Sequence, residues 1–190
     1  MGGERIVQTW REAEEQVVWQ GRFITTKQRG NWEYVSRARN IRAAVILAID
    51  EEDHVLLVEQ YRVPLRRTCI ELPAGLVGDT DAAPDEDPTD AANRELEEET
   101  GYRAARMEVV GEFYSSPGMV TESFTLLRAY GLTRVGPGGG VDDEEIVTHR
   151  VPLSGISQFV AERRALGDAI DVKLLMLLAP SIIAAKGQPA

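Results

Sequence analysis

The run Arg94-Glu95-Leu96-Glu97-Glu98-Glu99-Thr100-Gly101-Tyr102 constrains this chain more than any other stretch. It sets Glu95, Glu98 and Glu99 at i, i+3 and i+4, which share one face of an α-helix. The flanking residues predict that helix over 88–100: Asp87 is a capping residue, Pro88 suits the first turn, Asp90 favours the positive end, and Gly101 ends it. The three carboxylates then fall near the negative pole, where like charges repel one another and the helix dipole adds to the cost. A glutamate-rich helix is ordinarily a solvated face. Here Arg94 stands ready to pair with a carboxylate and Leu96 to anchor the opposite face in a core. A hard divalent cation compensates such a cluster, and Mg²⁺ commonly works together with substrate phosphates. The stretch reads as a metal platform for phosphate chemistry.

Composition narrows the partners. A chain of 190 residues supports one substantial core plus a small N-terminal addition, divided as 1–40 and 41–186. The net charge of −10 argues against nucleic acid, so an anionic nucleotide must be met by local cations. Cys69 is the only cysteine, which excludes an intrachain disulfide and fits a reducing compartment. The first residues lack an apolar signal core. The apolar run Leu174–Ala185 contains Pro180 and is too short to span a bilayer. A cytoplasmic protein without a membrane partner is expected.

Hydrophobic patterning supplies the elements. Residues 4–11, 16–28 and 32–35 alternate apolar and polar positions and suggest two or three strands, turning at Arg29-Gly30-Asn31. So small a sheet must pack on the main domain or on a second chain. Strands are expected over 43–50, 54–61, 68–72, 106–115, 122–131 and 146–152, with a glycine-rich loop over 135–140. Helices are expected over 154–164 and 169–179, the second apolar on most sides and hence buried. This order predicts an α/β/α sandwich around a mixed sheet.

The box itself resembles the signature of the Nudix hydrolases, G-x5-E-x7-R-E-U-x-E-E-x-G-U. Seven residues separate Glu86 from Arg94, and every later position fits, with Tyr102 a loose match to the last apolar slot. Gly75, in Glu71-Leu72-Pro73-Ala74-Gly75, corresponds to the opening glycine, but ten residues rather than five separate it from Glu86. The extra length falls in a Gly/Asp/Pro-rich loop, where insertion is cheap. The resemblance covers roughly residues 40–180. Pro117, sixteen residues after Gly101, resembles the mark of the ADP-ribose and nucleoside-diphosphate-sugar pyrophosphatase branch. The segments 138–146 and 171–173 resemble the GDP-mannose pyrophosphatases.

What the resemblance implies is Mg²⁺-dependent hydrolysis of a nucleoside diphosphate sugar, with Mn²⁺ able to substitute, by a homodimer that swaps its N-terminal antiparallel sheet. Glu95 and Glu99 are the best-placed direct metal ligands, with Glu98 completing the site or bridging two ions. The Ala74 carbonyl is implied as a further ligand, while Arg94 and Glu86 hold the ligands in place. Arg62 is implied to grip the diphosphate, since a guanidinium binds phosphate bidentately. Within Asp142-Asp143-Glu144-Glu145, Glu144 aligns with the branch's catalytic or metal-binding glutamate, Asp142 is the alternate base, and Glu98 is a further candidate. Glu122 is a candidate for the terminal ribose or sugar. Trp19, Phe23, Trp32 and Tyr34 either stack on the base or pack a dimer sheet. His54 and His149 receive no catalytic role. Two other readings stay open. One is a house-cleaning hydrolase of dinucleoside polyphosphates or coenzyme A, which the Pro117 spacing disfavours. The other is a catalytically silent nucleotide sensor, which has no need of the costly carboxylates.

Overall fold

The structure, a computed structural model, describes residues 11–38, 42–78, 87–141 and 144–184. Glu86, Asp142, Asp143, residues 79–85 of the lengthened loop and most of the strand expected over 4–11 lie outside the described residues. Three strands come first, β1 (Glu15–Gln20), β2 (Ile24–Arg29) and β3 (Trp32–Arg37), joined as an antiparallel sheet. Gly30 takes a φ of +59° in the two-residue turn that sets Arg29 opposite Trp32.

The body follows with β4 (Arg42–Ala48), β5 (His54–Arg62), β6 (Arg67–Glu71) and β7 (Ala74–Val77). Helix α1 (Pro88–Thr100) leads into β8 (Tyr102–Tyr114), β9 (Ser123–Arg134) and β10 (Ile146–Pro152). The chain then forms α2 (Ile156–Ala165), β11 (Ala169–Ile170) and α3 (Leu175–Ala184). The strands form two four-stranded sheets, ordered β10-β5-β6-β11 and β7-β4-β9-β8. Pairing is mixed: β4 runs parallel to β9 and β11 to β6, while the other neighbours are antiparallel.

Alternation along β4 divides the core. Ala44, Ile46 and Ala48 pack with Ala91, Ala92 and Leu96 of α1, whereas Val45 joins Ile156 and Val160 of α2 and Leu178 of α3. One helix on one side and two on the other make the expected sandwich. The boundaries of α1 agree with the sequence reading. Asp87 accepts a 2.8 Å bond from the Thr89 amide, and Gly101 closes the C-terminus at φ +74°.

Two expectations are corrected. The strand expected from 106 begins at Tyr102, because Gly101 turns the chain straight from α1 into β8. The helix expected over 169–179 is instead a two-residue strand, a 3₁₀ turn (Val172–Leu174) and then α3. Asp171 caps that turn by accepting from the Lys173 amide, which interrupts a continuous helix. Nor is α3 buried on most sides: Leu178 reaches the core, but Leu175, Met176, Ile182 and Ile183 are exposed. Among the described residues no helix is long and apolar enough to cross a membrane.

Candidate active site

The C-terminal half of α1 forms one wall of a cleft of about 680 Å³. Glu95, Glu98 and Glu99 all line it, as does Glu144 from the segment before β10. Glu97 lies away from the cleft and bonds to Arg103 at 2.9 Å. The helical spacing therefore sorts these glutamates as the sequence suggested.

Tight packing holds the wall. The side chain of Glu95 lies directly on Gly75, where any Cβ would overlap its carboxylate. This strand glycine is thus favoured by close approach, and no positive φ is involved. Arg94 spans Glu95 and Glu98 at 3.0 and 3.2 Å. Glu99 is buried and accepts a 3.0 Å bond from the Ala74 amide. Burial pushes its carboxyl up to about 8; the Ala74 amide opposes this, and the charges of Glu95 and Glu144 reinforce it.

The glycine-rich loop meets the same helix end. The amides of Gly139 and Gly140 donate to the Glu99 and Glu98 carbonyls, each at 2.9 Å, and the Thr148 hydroxyl adds a 3.1 Å bond to Glu99. These donors satisfy carbonyls that a helix terminus leaves open. Gly138 has φ +70°, and a Cβ there would strike the backbone of residues 99–101. The loop therefore caps α1 as well as leading toward Glu144, a role that the glycine run alone does not reveal.

Arg62, Lys173 and Arg37 also line the cleft, each paired with an acid. Arg62, at the end of β5, forms a two-toothed pair with Glu71 at 2.6 and 3.0 Å. Lys173 bonds Asp171 at 2.8 Å. Arg37 of β3 bonds Glu122 at 2.8 Å, which ties the N-terminal sheet to the cleft. Ala74 also lines the cleft. Sequence reasoning assigned no role to Glu71 or Arg37. An acid within the apolar run Cys69-Ile70-Glu71-Leu72 was the available signal for the first. Arg37 has no local signal. Arg66 and Arg67 are exposed. His149 lies outside the cleft and pairs with Glu59 at 2.7 Å.

Among the described residues no three acidic, histidine or cysteine side chains already converge as a metal cage. The donor set nevertheless suits a hard divalent cation. It offers carboxylate oxygens on one wall, one of them on a carboxyl that burial, and after it neighbouring negative charge, pushes up. Glu95, Glu98, Glu99 and Glu144 are the residues that would hold it.

A second hollow of about 480 Å³ lies beside the N-terminal sheet. Trp32 and Tyr34 face Pro117, Gly118 and Thr121 across it. Trp19 and Phe23 do not line it and are exposed.

Comparison with known proteins places this geometry. Residues 39–165 match the NUDIX domain. A methanol dehydrogenase activator of Bacillus methanolicus is 38% identical over 127 residues, 66% of each chain. An ADP-ribose pyrophosphatase of Bacillus subtilis is 37% identical over 105 residues, 55% of this chain and 54% of that one. A GDP-mannose pyrophosphatase of Cronobacter sakazakii is 37% identical over 144 residues, 72% of this chain and 70% of the other. The matched segments thus span 66% and 54% of the first two relatives' own lengths. A crystal structure of an ADP compounds hydrolase superposes with a TM-score of 0.64 at 23% identity, covering 90% of this chain and 92% of that one, which supports the fold.

Proposed function

The chain belongs to the Nudix family, and from that premise we propose that it hydrolyses the diphosphate bond of a nucleoside diphosphate sugar, ADP-ribose, GDP-mannose or both, to a nucleoside monophosphate and a sugar phosphate. The observation that carries this reading is one cleft that brings Glu95, Glu98, Glu99 and Glu144 together with Arg62 and Lys173. The relatives named ADP-ribose and GDP-mannose pyrophosphatases support the substrate class.

Mg²⁺, with Mn²⁺ as a substitute, would neutralise diphosphate charge and make bound water more acidic. The chain's own residues supply position and proton transfer. Arg62 binds non-bridging phosphate oxygens. Glu144 takes a proton from the attacking water as its oxygen bonds to phosphorus. The bridging P–O bond breaks, and the leaving phosphate keeps the electron pair. Asp142 is the alternate base, and Glu122 with Arg37 borders the place for the terminal sugar. The Ala74 carbonyl is a further candidate ligand.

The N-terminal sheet serves a homodimer in this reading. Val17, Val18, Trp19 and Phe23 are each more than half exposed and form an apolar surface suited to a second copy.

The test is a panel of nucleoside diphosphate sugars with Mg²⁺ or Mn²⁺ and products identified by mass. Turnover to a monophosphate and a sugar phosphate, abolished by chelator, is expected. No turnover of any member with either metal overturns the proposal, and full turnover in chelator overturns its metal requirement. A second reading rests on the relative named methanol dehydrogenase activator: the chain acts on a dehydrogenase. Adding it to a methanol dehydrogenase assay, with and without Mg²⁺, tests that reading.

A further inference from the structure

Arg62 and Glu71 occupy neighbouring antiparallel strands, but they are not opposite one another. Arg62 stands across from Arg67, and Glu71 from Val58. Residues 60 and 62 of β5 and 69 and 71 of β6 share one face by the two-residue period of strands, and all four line the cleft. The Arg62 side chain thus runs back along the sheet, past Cys69, to reach Glu71. Its Nε and one Nη meet the two carboxylate oxygens at 2.6 and 3.0 Å. The Glu71 side chain is 8% exposed and that of Arg62 41%. A buried acid therefore grips an arginine whose other edge stays open to the cleft.

A guanidinium carries five N–H donors in a rigid fork. Glu71 takes one edge of that fork. The outer edge has no protein partner among the described residues. Two phosphate oxygens require such an edge, held in one orientation before the substrate arrives. An arginine free on its own stem loses rotamer entropy on binding, whereas a clamped one has already lost it.

We propose that Glu71 is a positioning residue that clamps Arg62 so that its outer edge meets the substrate diphosphate. This rests on the cleft being the nucleoside diphosphate sugar site. Glu71 touches no substrate and acts through Arg62.

The test is a double-mutant cycle on kcat/KM with Glu71→Gln, Arg62→Gln and the double variant, thermal midpoints being measured alongside. The amide introduced by Glu71→Gln keeps one acceptor and turns an NH₂ toward the guanidinium, which breaks the two-toothed clamp. Each single variant should lose about 10- to 100-fold, the scale of misplacing a positioning group. The double variant should match Arg62→Gln within about three-fold, because Glu71 has nothing left to orient. Glu71→Asp should recover part of the loss. Losses that multiply in the double variant, or an unchanged Glu71→Gln, overturn the proposal. Calorimetric binding of inorganic pyrophosphate to the same four proteins gives a readout without turnover. A wild-type chain that hydrolyses no nucleoside diphosphate sugar sinks the substrate reading, while equal pyrophosphate affinity in wild type and Glu71→Gln sinks the role of Glu71. If Glu71→Gln fails to fold, Glu71→Asp carries the affinity comparison, and wild-type affinity there overturns the clamp.

Discussion

The end of α1 and the N-terminal sheet are opposite cases of how a chain finishes a surface. At the end of α1 the groups that cost most find partners within the same chain. Gly139, Gly140 and Thr148 satisfy the Glu98 and Glu99 carbonyls, the Ala74 amide meets the Glu99 carboxylate, and Arg94 spans Glu95 and Glu98. In the sheet, every residue of β1 is exposed, Val17, Val18 and Trp19 among them. Its described ties to the body are few: the Val35 amide donates to Met119, the Thr121 amide donates to Val35, and Arg37 bonds Glu122. The difference teaches that the polar groups at the end of α1 are met by contacts within the fold, whereas the sheet leaves apolar side chains open. Burial holds the Glu99 carboxyl up near 8, the charges of Glu95 and Glu144 add to that cost, and a bound cation would offset it. The sheet leaves apolar side chains exposed, and these are the surface that the proposed second copy would cover.

The largest expected effect breaks the comparison inside the cleft. Glu99→Gln should lower turnover by well over 100-fold, beyond what supporting residues around a metal usually cost. Glu97→Gln, which loses only the pairing with Arg103, should stay near wild type. Equal behaviour of the two variants in steady-state kinetics would mean that the helical face does not matter.

Glu144→Gln should come next, with kcat lower by about 100-fold or more and KM within a few-fold, since a base acts mainly in the transition state. Asp142→Asn is the comparison for register, and the larger kcat loss identifies the base. If added Mn²⁺ restores Glu144→Gln, that residue holds metal instead of a proton.

A third effect reads the burial of Glu99 directly. In the unfolded chain Glu99 loses its proton near the ordinary 4.5, but in the folded metal-free chain only near 8. Between those values the folded state binds more protons, so stability should fall as pH rises from about 4.5 to 8 and level off above. The fall should be on the order of 5 kcal/mol, by denaturant titration in chelator. Glu99→Gln should flatten it, and Mg²⁺ should reverse it in wild type. A slope unchanged by the substitution would refute the assignment.

The smallest effect on chemistry should come from the sheet. Val18→Asp should convert the dimer to a monomer by sedimentation while leaving metal-dependent stabilisation intact. A wild-type chain that sediments as a monomer, or a Val18→Asp chain that remains dimeric, would remove the sheet from that role.

Much of α1 was legible in advance because its signals are local. Capping by Asp87, the Pro88 start, the Gly101 stop and the shared face of Glu95, Glu98 and Glu99 all act within one or two turns. The alternation that predicted the strands is equally local, and so is the sandwich order. The segment after Gly167 shows the limit. Its apolar composition suggested one buried helix, yet Asp171 caps a 3₁₀ turn and most of α3 faces outward. Apolar composition states a need for cover without naming what covers it.

The sequence by itself determined the carboxylate face, the polarity of its helix and the family pattern around it. Tertiary structure alone decided that Glu71 grips Arg62, that Arg37 meets Glu122 85 residues away, and that a glycine loop caps α1. It also decided that Glu99 is buried enough to hold its proton near 8. The physical reason is range. Helix spacing and capping are set by neighbours along the chain, whereas desolvation, charge pairing and close backbone approach depend on which distant residues the fold brings together.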